Sequence, residues 1–118
     1  MTTGKEHEDP SYWRRRETAA LARDRRLARQ ARADAEAIAA MLRQRFGASR
    51  VVLFGSLARN RFTADSDIDL AVAGLAPEDY YRAIAEASKL SAFPVDLKPL
   101  EALTPHFRER MLQTGEDM

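Results

Sequence analysis

Leu27, Ala31, Ala35, Ile38, Leu42 and Phe46 recur at the spacing of one helix face, which predicts an amphipathic helix with a single apolar stripe. Asp9-Pro10 supplies its start, with Asp as the cap and Pro at the first helical position. No Gly or Pro interrupts the chain from Ser11 to Phe46, and Gly47 stands where a left-handed terminating residue belongs. The stripe fades before Leu27, so the first third of this helix is expected to leave the body or to pack on a partner. Val51-Val52-Leu53-Phe54 is a short continuous apolar run, the pattern of a buried central strand. Gly55-Ser56 turns the chain into a short helix, and residues 60–66 read as a loop. Ile68, Leu70 and Val72 alternate with Asp67, Asp69 and Ala71, the period of a strand with one apolar face. Pro77-Glu78-Asp79 opens a second helix with an acidic first turn, and Tyr81, Ile84, Ala85 and Ser88 are its expected inner face. Phe93, Val95 and Leu97 alternate in a third strand, with Asp96 on the other face and Pro94 marking an edge or a strand start. Thr104-Pro105 opens a last helix with Phe107 and Met111 inward and Gly115 at its end.

This order of elements predicts an α/β (α+β) domain. A small mixed, mainly antiparallel sheet of three to four strands packs helices on one face and leaves the other for a site. A length of 118 residues suits one core. The expected division is a polar tail and Arg-rich helical extension over 1–32, followed by the domain body over 33–118.

Charge changes the picture of the first helix. The chain is nearly neutral, with 19 Lys and Arg against 18 Asp and Glu, yet residues 1–50 hold 12 of those cations and only 7 of the anions. Arg14, Arg15, Arg16, Arg23, Arg25, Arg26, Arg29 and Arg32 face only Glu17 and Asp24 within 11–32, a basic arm suited to a polyanionic or acidic partner or to a solvated helix face. Tyr12 and Trp13 at its start could stack on nucleic-acid bases or on a partner protein. The absence of Cys excludes disulfides, thiolate metal sites and a Cys nucleophile. No apolar run is long enough to span a membrane and the first residues form no apolar signal core, so a cytoplasmic chain is expected. His7, in the tail, and His106, near a helix start, lack a telling nucleophile partner and read as solvent-facing.

The candidate chemistry lies in the middle of the chain. Asp67 and Asp69 are two apart on a strand, so both carboxylates leave one face and repel unless a cation lies between them. Oxygen-only ligands select a hard ion such as Mg²⁺, and Asp96 could complete the set if its strand lies beside that of Asp69. By itself Asp-x-Asp is a common surface pattern, and a Gly-Ser turn after a strand is an ordinary turn. Gly55 also lets backbone approach a ligand closely, and Ser56 brings a hydroxyl. Ten residues separate Ser56 from Asp67, which allows a short helix and a loop to bring phosphate cradle and carboxylates together. Ser66 either hydrogen-bonds a carboxylate or caps the strand, and Lys98, on the face of Asp96, either touches phosphate or is simply solvated.

The run VVLFGSLARNRFTADSDIDLAV resembles the signature of the DNA polymerase β-like nucleotidyltransferases, G-S-x10-D-x-D followed by a third carboxylate on a later strand. Over about residues 33–115 the chain is similar to the minimal nucleotidyltransferases of that superfamily, the antitoxin half of a HEPN/minimal-nucleotidyltransferase toxin–antitoxin pair. The resemblance implies that Gly55 and Ser56 hold a nucleoside triphosphate. It further implies that Asp67, Asp69 and Asp96 bind two Mg²⁺ ions and that Asp96 helps activate the acceptor hydroxyl. Arg59 stands where the family often has Arg, whereas Asn60 replaces a common Gly. The implied activity is transfer of AMP from ATP to a hydroxyl, tyrosine being the expected one, on a HEPN-type ribonuclease toxin. The alternatives are a non-catalytic antitoxin that acts by binding, a small-molecule nucleotidyltransferase, and a weak nucleic-acid contact through the Arg-rich helix.

Overall fold

The computed structural model describes residues 9–118, so the frayed tail expected before Asp9, with His7, lies outside the described residues. Helix α1 spans Pro10–Phe46, and the Asp9 carboxylate caps it by accepting from the Ser11 backbone N–H at 3.0 Å. Gly47 terminates it at φ 71°, the left-handed conformation that glycine adopts without penalty. The predicted stripe is the buried one: Ala31, Ala35, Ile38, Leu42 and Phe46 are buried, joined by Ala39 and Met41, with Leu27 packed at the margin. No residue of α1 before Ala31 is buried. At 1.5 Å per residue the helix is about 55 Å long, and it accounts for most of the molecule's 64 Å longest dimension.

Strand β1 (Arg50–Phe54) leads into the four-residue helix α2 (Gly55–Ala58), and β2 (Ile68–Ala73) follows the loop. A single 3₁₀ turn, Pro77–Asp79, precedes α3 (Tyr80–Ser88). Strand β3 (Val95–Pro99), a second 3₁₀ turn (Leu100–Ala102), helix α4 (Pro105–Thr114) and the two-residue β4 (Glu116–Asp117) complete the chain. The sheet order is β3-β2-β1-β4, with β1 antiparallel to both β2 and β4 and β2 parallel to β3. Pro94 directly precedes β3, which is an edge strand, and its carbonyl accepts from Ile68 N–H at 2.8 Å.

Strand alternation sorts the side chains into two layers. Val51, Leu53, Ile68, Leu70, Val72 and Leu97 join α1 and α3 in the main core. Val52 and Ala71 point the other way, into a small cluster with Leu100 and Met111. Helix α4 therefore covers part of the second face, and Asp69, Asp96 and Lys98 occupy that face by the same alternation.

Two expected helix faces are rotated. The inner face of α3 is Ala83 and Ala87 with Tyr80 and Ile84 partly buried, whereas Tyr81, Ala85 and Ser88 are exposed. The 3₁₀ turn shifts the helix phase, and small alanines rather than Tyr81 allow close approach to the sheet. Phe107 is not inward but 44% exposed; Met111 alone is buried along α4, because that helix meets only one edge of the second face.

Candidate functional site

The register of the sheet builds the site. Phe54 lies directly opposite Asp69 across β1–β2, and Asp69 lies directly beside Asp96 across β2–β3. Residue pairs of this kind share a face with their Cβ atoms about 5 Å apart. Asp67 stands one residue before β2 and is exposed, while Asp69 and Asp96 are half-buried. Burial pushes the Asp69 carboxyl up to about 6, and the charges of Asp96 and then Asp67 push it the same way, against a smaller pull from Lys98. Asp69 is thus a carboxylate held among like charges.

Gly55 sits against that carboxylate. Its φ of 74° is left-handed, and a Cβ added there would overlap Asp69 Oδ2 and come within 3.0 Å of Asp69 Cγ. Only glycine lets the turn after β1 close on the second strand in this way. Ser56, next in α2, is half-buried, and its carbonyl accepts from the Arg61 backbone N–H at 2.8 Å, which ties the helix to the following loop. Asn60 holds φ 58°, a left-handed conformation that asparagine tolerates better than most residues. The replacement of glycine there is conformationally compatible with the turn.

Lys98 Nζ lies 2.7 Å from Asp96 Oδ2, so this lysine is an ion-pair partner rather than a freely solvated side chain. Tyr80 donates its hydroxyl to the Leu97 carbonyl on the edge strand, and burial, followed by the Asp96 charge, pushes its pKa up to about 12. Among the described residues Ser66 bonds no carboxylate. Its hydroxyl instead accepts from Thr63 N–H at 2.9 Å and holds the loop that delivers Asp67. His106 is exposed, as expected.

Among the described residues no three His, Cys, Asp or Glu side chains are drawn together tightly enough to hold an ion as they stand. Three like charges have no reason to close on one another without a cation between them. The donor set nonetheless fits a hard divalent ion: it is all oxygen, Asp69 and Asp96 share a sheet face with Asp67 one residue before β2, and Asp69 is disfavoured in its charged form by burial and then by the charges of Asp96 and Asp67. Lys98 was a candidate in the sequence, where its pairing with Asp96 could not be read; the approach of α4, with Phe107 and Arg110, to Gly55 had no signal there and required the tertiary structure.

A mixed four-stranded sheet with a Gly-Ser turn after its first strand, Asp-x-Asp entering the second and a register-paired carboxylate on the third defines a nucleotidyltransferase fold. A family model described as a nucleotidyltransferase domain matches residues 35–115, and the chain belongs to that family. A solved structure of a candidate minimal nucleotidyltransferase is 32% identical, with a TM-score of 0.67 over 77% of this chain and 95% of that one. A toxin–antitoxin structure with AMP-PNP is 22% identical (TM-score 0.62), covering 70% of each chain. A mutant of the toxin–antitoxin pair MntA–HpeT, with two aspartates two residues apart changed to glutamate, is 20% identical (TM-score 0.59) over 70% of each chain. No curated protein sequence matches significantly. Among the described residues no helix is long and apolar enough to cross a membrane.

Proposed function

We propose that this nucleotidyltransferase domain transfers AMP from ATP to a tyrosine hydroxyl of a HEPN-type ribonuclease toxin and so acts as its antitoxin. The observation that carries the reading is the register: Asp69 lies between the Gly55 turn on one side and Asp96 on the other. In the reaction the acceptor oxygen bonds to the α-phosphorus, the bond from that phosphorus to the α–β bridging oxygen breaks, and pyrophosphate leaves. Gly55 and Ser56 bind the triphosphate, and Asp96, on the edge strand, faces the acceptor hydroxyl and takes up its proton. Mg²⁺, held by Asp67, Asp69 and Asp96, would neutralise charge on the attacking and leaving oxygens. Positioning and charge neutralisation carry most of such a reaction.

The fold neighbours that are toxin–antitoxin structures, one with AMP-PNP and one altered at two aspartates spaced like Asp67 and Asp69, support this choice of nucleotide and partner. An adenylylated tyrosine puts negative charge and bulk where a ribonuclease must bind RNA phosphate, which explains neutralisation by electrostatics and sterics together. The basic arm serves the same reaction by docking the toxin. Trp13 is 50% exposed there, its ring edge-on to Tyr12, and Arg16 lies within 6 Å of both ring centroids. The test is mass spectrometry of the toxin co-expressed with this chain. An adenylylated tyrosine is expected, whereas a neutralised but unmodified toxin would replace catalysis with inhibition by contact.

A further inference from the structure

The basic part of α1 and the loop between α2 and β2 face each other across a cavity of about 530 Å³. Its walls include Leu21, Asp24, Arg25 and Ala28 on the helix and Arg61 and Phe62 on the loop. The four helix residues stand at i, i+3, i+4 and i+7, so they form one face. A smaller cleft of about 220 Å³ shares Arg25 and Ala28 with the first and carries the groove along α1 past Arg29 to Arg32. Arg25, Arg29 and Arg61 are exposed, and none takes part in an ion pair among the described residues, whereas Arg32 pairs with Glu116. Leu21 is 53% exposed, an apolar side chain in a cationic groove. Residues 21–28 precede residue 35, where the match to the nucleotidyltransferase domain begins, and Gly55 and Ser56 line neither cleft. The groove is therefore separate from the carboxylate site and its Gly-Ser turn.

Charge and shape together select the occupant. Three guanidinium groups outside any ion pair call for anionic oxygens. Nucleic acid suits the walls poorly: Phe62 is 3% exposed with its ring edge-on to Phe93, so it offers no face to a base, and Asp24 repels phosphate. A second copy presenting its own arm suits them no better, because eight arginines against two acids within 11–32 make the arms repel. An acidic amphipathic helix meets both demands. Arg25 and Arg29 are one turn apart, about 6 Å along α1, which is also the spacing of carboxylates one turn apart on a second helix. Leu21 and Ala28 flank them for its apolar side chains. We propose that this groove docks an acidic amphipathic helix of the partner protein, with its carboxylates on Arg25, Arg29 and Arg61, the partner being the toxin of the proposed function, on which this inference rests. Thr63, also in the loop wall, is four residues from Asp67, at most about 14 Å of chain, so the docked partner lies near the carboxylates.

Calorimetry of the full chain against the purified toxin tests the groove. Arg25→Glu combined with Arg29→Glu, Arg61→Glu alone, and Leu21→Asp should each weaken the complex at least about tenfold. Melting temperature and affinity for ATP with Mg²⁺ should stay at the wild-type values, because all four side chains are exposed. The chain has no cysteine, so Thr63→Cys supplies a single thiol for crosslinking. The crosslinked toxin segment should be an acidic helix, and changing its acids to Arg should restore binding to the Arg25→Glu, Arg29→Glu variant. Equal toxin affinity in all three variants, with the toxin still adenylylated by wild type, would overturn the groove and leave the proposed function standing. A crosslink outside any acidic segment would also overturn it. So would binding of a short single-stranded oligouridine, or a wild-type dimer in sedimentation, that the same variants abolish, since these assign the groove to nucleic acid or to a second copy. A wild-type chain that neither binds nor adenylylates the toxin would sink the proposed function and this occupant together.

Discussion

Asp69→Asn should make the metal-free protein more stable near neutral pH while abolishing nucleotide transfer. In the fold the Asp69 carboxyl is raised from its ordinary 3.8 to about 6 by burial and by the charges of Asp96 and Asp67. A shift of about two pK units corresponds to at most roughly 3 kcal/mol between protonation states, and solvent screening of this half-exposed group leaves about 1–2 kcal/mol. The sign follows from linkage. Below the unfolded value both states carry the proton and the group imposes no penalty; as pH rises through about 6 the folded state alone resists ionisation, and stability is lost. Asparagine is nearly isosteric and uncharged, so it removes the penalty without opening a cavity. In EDTA at pH about 7.5 the variant should melt about 3–10 °C higher than wild type, and the gap should close near pH 4. Mg²⁺ should raise the wild-type melting temperature more than that of the variant, because it binds the charge that asparagine lacks. A variant that melts lower than wild type in EDTA at neutral pH would refute the reasoning, as would a gain of the same size near pH 4. Either result would mean that Asp69 is held by favourable contacts rather than against repulsion.

Gly55→Ala should be destabilised by at least about 1–2 kcal/mol through its left-handed backbone alone, and should displace Asp69 and lose transfer; denaturant melts and a labelled-ATP assay check both parts. Ser56→Ala should weaken ATP binding by about 1.5–3 kcal/mol with an unchanged melt, read by calorimetry. Leu42→Ala, at a fully buried position of the α1 stripe, should cost about 2–5 kcal/mol in a denaturant titration. Deleting residues 1–26 removes no buried residue of α1, so the melting temperature and ATP affinity should hold while transfer to the toxin slows; normal toxin modification by the truncated chain would remove the docking role.

Local chemistry wrote much of this protein into its sequence. The Asp9 cap, the Gly47 terminus and the stripe from Ala31 to Phe46 follow from backbone conformation and helical period, which neighbours in sequence decide. The strand-turn-helix at Phe54–Ser56 and the place of Asp69 within β2 were legible for the same reason, whereas Asp67, expected on the same strand, stands one residue before it. What no local rule could supply was register and docking. Only the parallel pairing of β2 with β3 puts Asp96 beside Asp69, and only the packing of α3 decides that Ala83 and Ala87, not Tyr81, meet the core. Helix α4 reads alone as a helix with Phe107 and Met111 inward, yet it meets the sheet through Met111 and leaves Phe107 and Arg110 beside Gly55, some fifty residues away along the chain. Helical and strand periods are set by neighbouring backbone, so the sequence could nominate candidate residues on each element. The tertiary structure alone decided which of them meet, because contacts between distant segments are chosen by burial of the whole core at once.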